Sequence, residues 1–331
     1  MRYNIDILNL VLITISLFLA IIFPFELFLI VYAILGPLHY LTEINWIRNK
    51  NYFVKSKTWI YTVILFAFIV SLPAIMRLNI FKNSDSSIVN FLNTDLANYT
   101  NGLIFGSFMF AYALLFIKEK HWQITVLVIS IVLTIFLKDL DVYNVWIGIF
   151  LPTIIHVYFF TLLFMWYGTV KDNSKWGTIN IVYLALIPLI IFLVSLEVNL
   201  YRFSSTVESL IIESRFHLLN INVSKFLGLS DGTSFFFNEI IDIKIQIFIA
   251  FAYTYHYLNW FSKTSIIGWH KNLSKTKTFL IIGIWIISMI IYAVDYKIGL
   301  TLLLMLSLMH VFFEFPLNLI SIKGIYNHYF K

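Results

Sequence analysis

Apolar runs long enough to cross a lipid bilayer recur from one end of the chain to the other, beginning with IDILNLVLITISLFLAIIF at residues 5–23. A helix needs about 20 such residues to traverse the hydrocarbon. The 331 residues are 60% hydrophobic and 12% charged, against roughly 25% charged in an ordinary soluble domain. Mean hydropathy is +0.86. A soluble fold, a disordered chain and a nucleic-acid binder are thereby excluded. The expected fold class is all-α, a polytopic transmembrane helical bundle forming a single membrane domain over residues 1–331.

About ten spans can be drawn, near 5–23, 25–44, 58–78, 102–118, 122–138, 143–167, 178–197, 241–262, 277–295 and 298–319. Residues 1–23 read as the first span and not as a signal peptide: the run is too long, no small-residue cleavage site follows, and a second span begins at once. Pro24 joins the first two spans as a hairpin. With the N-terminus inside, every inner connection holds at least two basic residues, among them Arg48 and Lys50, Lys118 and Lys120, Lys171 and Lys175, Lys263 and Lys271, and Lys323 and Lys331. Acids collect outside, from Asp85 and Asp95 to Glu239 and Asp295. Both termini are therefore expected in the cytoplasm. The Ile, Asn, Lys and Phe bias is that of an AT-rich bacterial genome, so the membrane is taken as a bacterial inner membrane.

One long connection, about 198–240, falls outside. In it Ser204 or Ser205 can cap a short amphipathic helix carrying Leu210, Ile211, Ile212, Leu218 and Leu219. No internal repeat is visible: the second span contains GPLH, whereas the seventh has no histidine.

The absence of cysteine excludes disulfides, iron–sulfur clusters, thiolate-ligated haem and cysteine zinc sites. Any metal must then be held by His, Glu, Asp or backbone. Of the 8 histidines, His121, His217, His270 and His328 fall in loops or the tail and read as solvated. His39, His156, His256 and His310 fall within spans, where ionisable groups are rare and usually functional. They lie on the second, sixth, eighth and tenth spans, all running from outside to inside. At 1.5 Å per residue, His156 and His310 sit roughly 17 Å from the outer face and His39 and His256 roughly 21–22 Å.

Two of these histidines have a carboxylate one turn onward, in His39-Tyr-Leu-Thr-Glu43 and His310-Val-Phe-Phe-Glu314. Positions i and i+4 share a helix face. Glu43 and Glu314 are thus candidates for extra ligands or for acceptors of an imidazole's second N–H. A single membrane histidine is most often an interhelical hydrogen-bond partner; four at one depth, two with the same spacing to Glu, point to a shared metal site. Imidazole with carboxylate suits iron, manganese, zinc or copper, with Fe(II) the expected cofactor. Tyr40, Tyr253, Tyr257, Trp260 and Phe313, close in sequence to the histidines, are candidate substrate-binding residues.

The segments GPLHYLTEINW, PTIIHVYFF, AYTYHYLNWF and SLMHVFFEFP resemble, distantly, motifs of the Brp/Blh family of bacterial and archaeal β-carotene 15,15′-dioxygenases. GPLHYLTE at 36–43 is similar to that family's first motif, with Tyr40 where the family has glycine and Glu43 as the acid. LMHVFFEF at 308–315 is similar to its last. The resemblance implies an all-helical membrane enzyme in which His39, His156, His256 and His310 bind a non-haem iron.

The expected function is therefore that of a membrane metalloenzyme, an iron-dependent oxygenase. It would act with O2 on an apolar, membrane-dissolved substrate such as a carotenoid or other isoprenoid or lipid. Membrane lipids are the expected surroundings and nucleic acid is not a partner. Three other classes stand beside it: a b-type haem electron-transfer protein using the four histidines as axial pairs, a transporter with a His/Glu ion relay, and a structural or assembly factor whose histidines only pack.

Overall fold

The computed structural model describes residues 2–81, 84, 86–263, 268, 270 and 273–330. Of the loop charges used above, Asp85, Lys271 and Lys331 lie outside the described residues. Among the described residues there is no strand. The helices, in order, are α1 Arg2–Ile22, α2 Pro24–Asn49, α3 Lys57–Met76, α4 Ser87–Asn93, α5 Thr100–Phe116 and α6 Lys120–Leu137. They continue with α7 Asp141–Asp172, α8 Lys175–Leu193, α9 Ser205–Glu213, α10 His217–Phe226, α11 Ile240–Ser262, α12 Lys275–Val294 and α13 Tyr296–Phe330.

Nine helical stretches among the described residues are long and apolar enough to cross a membrane: α1, α2, α3, the run Ser87–Phe116 that ends in α5, α6, α7, α8, α12 and α13. The protein is an all-helical membrane protein. The eighth expected span, 241–262, corresponds to α11, which has spanning length but is too polar to count with the nine. It can be polar because it lies inside the bundle, packed against α1, α2 and α10. Gln246, Tyr253, Thr254, Tyr255, His256 and Asn259 are all buried on it.

Local chemistry sets several helix starts. Pro24 occupies the first turn of α2, where its missing N–H costs nothing. Ser56, Ser174, Ser204 and Ser274 each cap a helix, their hydroxyls accepting from Trp59, Gly177, Val207 and Lys277 backbone N–H groups. The prolines near the histidines, Pro37, Pro152 and Pro316, lie within α2, α7 and α13 without ending them. From Asn144 to Phe160, α7 is wound as a π-helix, a form found mostly as single turns and frequently at functional sites.

Two expectations are corrected. The last helix does not stop near residue 319 but runs to Phe330. Its polar end is held to α7, where Gly324 lets the Tyr167 ring approach. The 198–240 segment holds two short helices and not one: the chain turns at Ser214–Phe216, where Arg215 adopts φ 61°. This segment closes one end of the bundle, called upper here. Phe203, Phe235 and Phe237 surround the Phe25 ring at 4.7, 6.1 and 5.0 Å between centroids. Phe216 meets Phe28 at 4.7 Å. The lower end carries the start of α1 and the α7–α8 turn.

Candidate metal centre

His39, His156, His256 and His310 come from α2, α7, α11 and α13, and all are buried. Their rings close a quadrilateral. Centroids lie 4.7 Å apart for His39–His256, 5.0 Å for His256–His156, 4.8 Å for His156–His310 and 5.1 Å for His310–His39, each pair edge to face. His121, His217 and His328 lie elsewhere, in the first turns of α6 and α10 and the last turn of α13, and not in loops or a tail as expected; His270 is exposed.

The second nitrogens decide the tautomers. His256 Nδ1 lies 2.8 Å from Thr161 Oγ1. That hydroxyl donates to the Val157 carbonyl at 2.9 Å, so it accepts from the imidazole. His310 Nδ1 donates to the Ser307 carbonyl. His156 Nδ1 lies 3.3 Å from Glu314 Oε2, an ion-pair distance without hydrogen-bond alignment. A lone pair on that nitrogen would face a carboxylate, so the proton sits there too. Three histidines thus carry their proton on Nδ1 and present a bare Nε2.

Two of those bare nitrogens, on His156 and His310, face each other, and the third, on His256, faces the His39 Nε2, which the Glu43 carboxylate holds protonated. His156 Nε2 and His310 Nε2 are 2.9 Å apart, and His256 Nε2 and His39 Nε2 are 3.0 Å apart. The two lone pairs of His156 and His310 repel at that distance unless a cation lies between them. Two nitrogens each about 2.1 Å from one metal and at right angles to it would stand about 3 Å apart. The donor set therefore fits a divalent transition metal with imidazole ligands. His39, His256 and His310 each bring a ligand atom to within 4.8 Å of the others, and so do His156, His310 and Glu314.

The carboxylates are placed differently from each other. Glu43 Oε2 reaches the Nε2 of its own helix neighbour His39, at 3.0 Å, the same nitrogen that faces His256. Glu314 turns from His310 to His156 on α7. Of the two, only Glu43 contacts its own histidine, and it does so on the nitrogen that faces His256. Both carboxylates, with His39, Asn259 and Lys263, line a cavity of about 30 Å³ on the lower side of the ring.

A cavity of about 280 Å³ lies on the upper side, where His156, His256 and His310 form its wall. Tyr40, Tyr253 and Tyr257 line it. Tyr40 stacks on His310 at 4.3 Å and shares a 3.0 Å hydrogen bond with Tyr257. Trp260 lies on the lower side, 5.7 Å from the His39 ring, and donates to Thr42 Oγ1. Phe313 lines neither of these two cavities; it packs against Tyr52 at 4.7 Å.

Sequence reading missed Thr161 and Ser307, the partners that orient His256 and His310. Ser307 acts through its carbonyl, which any residue supplies and no sequence marks. Thr161 is a lone threonine in an apolar run. No family model, curated protein or solved structure matches this chain.

Proposed function

We propose that the four histidines hold one transition metal, with Fe(II) the first candidate, and that the chain is an oxygenase acting on an apolar, membrane-dissolved substrate such as a carotenoid or other isoprenoid. One observation carries the reading: bare imidazole nitrogens of His156 and His310 converge on each other from separate helices, with the His310 Nδ1 bonded to the Ser307 carbonyl, the His256 Nδ1 to Thr161, and the His156 Nδ1 facing Glu314. Outer partners of this kind fix ring orientation in metal sites. The iron would supply the O2 chemistry. The chain's residues hold the metal, fix the rings and keep bulk water from a buried centre. Tyr40, Tyr253 and Tyr257 line the chamber against which a substrate would lie. At about 280 Å³ that chamber is smaller than most small-molecule pockets, roughly 300–1,000 Å³. It suits the reacting portion of a long substrate.

The reading includes ten spans, α11 added to the nine, and both termini on the cytoplasmic side of a bacterial inner membrane. A haem is disfavoured. Two axial nitrogens about 2 Å from one iron on opposite faces would stand about 4 Å apart, against the 2.9 and 3.0 Å of the facing pairs. An ion relay is the second reading, favoured by the cavities above and below the histidine ring.

Metal analysis with a visible spectrum on detergent-purified protein tests the proposal. About one iron per chain without a Soret band is expected, and its loss in His39→Ala and His310→Ala but not in His121→Ala or His270→Ala. Equal metal content in all four variants would overturn the site. A metal-free chain, after reconstitution with Fe(II), would leave the relay standing.

A further inference from the structure

Above the histidine chamber lies a larger cavity of about 570 Å³, and the two share Tyr32 and Leu304 as walls. Its charged lining is uneven. Arg77 follows the end of α3, Arg215 stands at the α9–α10 corner, and Lys297 lies in the first turn of α13. Glu213 is the one acid among the lining residues, which leaves a formal excess of two positive charges (three cations less one acid). Among the described residues no carboxylate lies within 4.0 Å of any of the three cations.

The Arg77 guanidinium is placed by a neighbour. Arg77 Nε donates to Asn93 Oδ1 at 2.8 Å, which uses one of five donors and orients the group. Arg215 stands at the corner between α9 and α10, with φ 61°. Partial burial, and second the Arg215 guanidinium, hold the Arg77 pKa below its ordinary value. Two like charges are thus kept within each other's field.

Guanidinium pairs recognise planar or tetrahedral oxyanions by paired N–H donors. The chamber beneath is walled by Tyr32, Ile104, Val157, Leu308 and Val311 as well as the histidines. We infer that the Arg77–Arg215–Lys297 vestibule binds the oxyanion head, phosphate or carboxylate, of an amphiphile whose apolar tail enters the histidine chamber. The inference does not depend on what the histidines hold.

The test is binding to the full chain in dodecyl maltoside, a neutral detergent, with two probes: inorganic phosphate and dodecyl phosphate. Dodecyl phosphate is expected to bind at least tenfold more tightly than inorganic phosphate and to weaken in 0.5 M NaCl. Arg77→Gln, Arg215→Gln and the milder Lys297→Gln should each cost about tenfold in its affinity. Unchanged thermal melting in Lys297→Gln separates loss of the site from loss of the fold. Affinity for dodecyl phosphate unchanged in all three variants would overturn the site. Equal affinity for the two probes would overturn the amphiphile and assign the vestibule to free oxyanions.

Discussion

α11 and α12 are both of membrane-spanning length, 23 and 20 residues, and they solve opposite problems. α12 is apolar nearly throughout, and little of it is buried; α6 is the same. Their Ile and Leu side chains face outward, Phe279, Ile287 and Ile290 among the exposed ones. α11 carries Asp, Lys, Gln, Thr, Tyr, His and Asn, and most of its residues are buried. In a soluble protein the pattern would be reversed. Here lipid solvates apolar side chains, so burial is the only place where a polar group finds its partners. Tyr255 of α11 donates to Asn9 Oδ1 on α1 at 3.3 Å, and Gln246 Nε2 donates to the Pro24 carbonyl at 3.1 Å. The difference teaches that, in this chain, the helix that looks least like a span is the one that organises the site.

The comparison breaks most sharply at the metal. His256→Ala on α11 removes one corner of the histidine ring and leaves the His39 Nε2 with Glu43 alone. Metal affinity should fall by more than about 100-fold, beyond the usual loss from an outer partner. Ile287→Ala on α12, at a lipid-facing position, should leave metal content unchanged. Equal metal loss in both, read by elemental analysis of purified protein, would show that the His256 effect is only loss of fold.

Much of this was legible in the sequence because lipid makes a strict demand. Apolar runs of fixed length mark the helices, and ionisable residues inside them stand out against that background. His39, His156, His256 and His310 were found that way, and the structure brings them to one ring. What was not legible has a physical reason in each case. The end of α13 is polar and helical because it packs on α7, which hydropathy cannot register. The π-winding of α7 leaves no mark in a run whose few polar residues, Asn144, Thr153 and His156, are too sparse to give a period. Glu314 was assigned to His310 by helical spacing, yet a side chain chooses its partner across helices too. Phe313 lies beside Val311 and Phe312 in a run of core residues, and nothing in the sequence separates a substrate contact from core packing.

A smaller effect sharpens the contrast between ligand and support. Thr161→Val keeps the shape but removes the acceptor of the His256 Nδ1 proton, leaving a buried donor unpaired. Metal affinity should fall about 10–100-fold, with the ring's other contacts intact. Glu314→Gln should fall in the same range through His156. A variant at either position that binds metal as the parent does would show that the Nδ1 partner does not set the tautomer.

The smallest effects are expected where helices meet each other or meet lipid. A Cβ on Gly102 of α5 would stand 2.2 Å from Thr134 Oγ1 of α6. That threonine is buried and hydrogen-bonded to Tyr143 at 3.0 Å, so it cannot swing aside. Gly102→Ala should therefore cost about 1–3 kcal/mol by overpacking. Gly283 of α12 has nothing within 4 Å of its Cβ position. Gly283→Ala should be neutral or stabilise by up to about 0.5–1 kcal/mol, since glycine is the poorer helix former. Melting of the two variants in one detergent, followed by circular dichroism, compares them directly. A lower melting temperature for Gly283→Ala would place α12 against a further surface, so its outward face would be covered and not bathed in lipid.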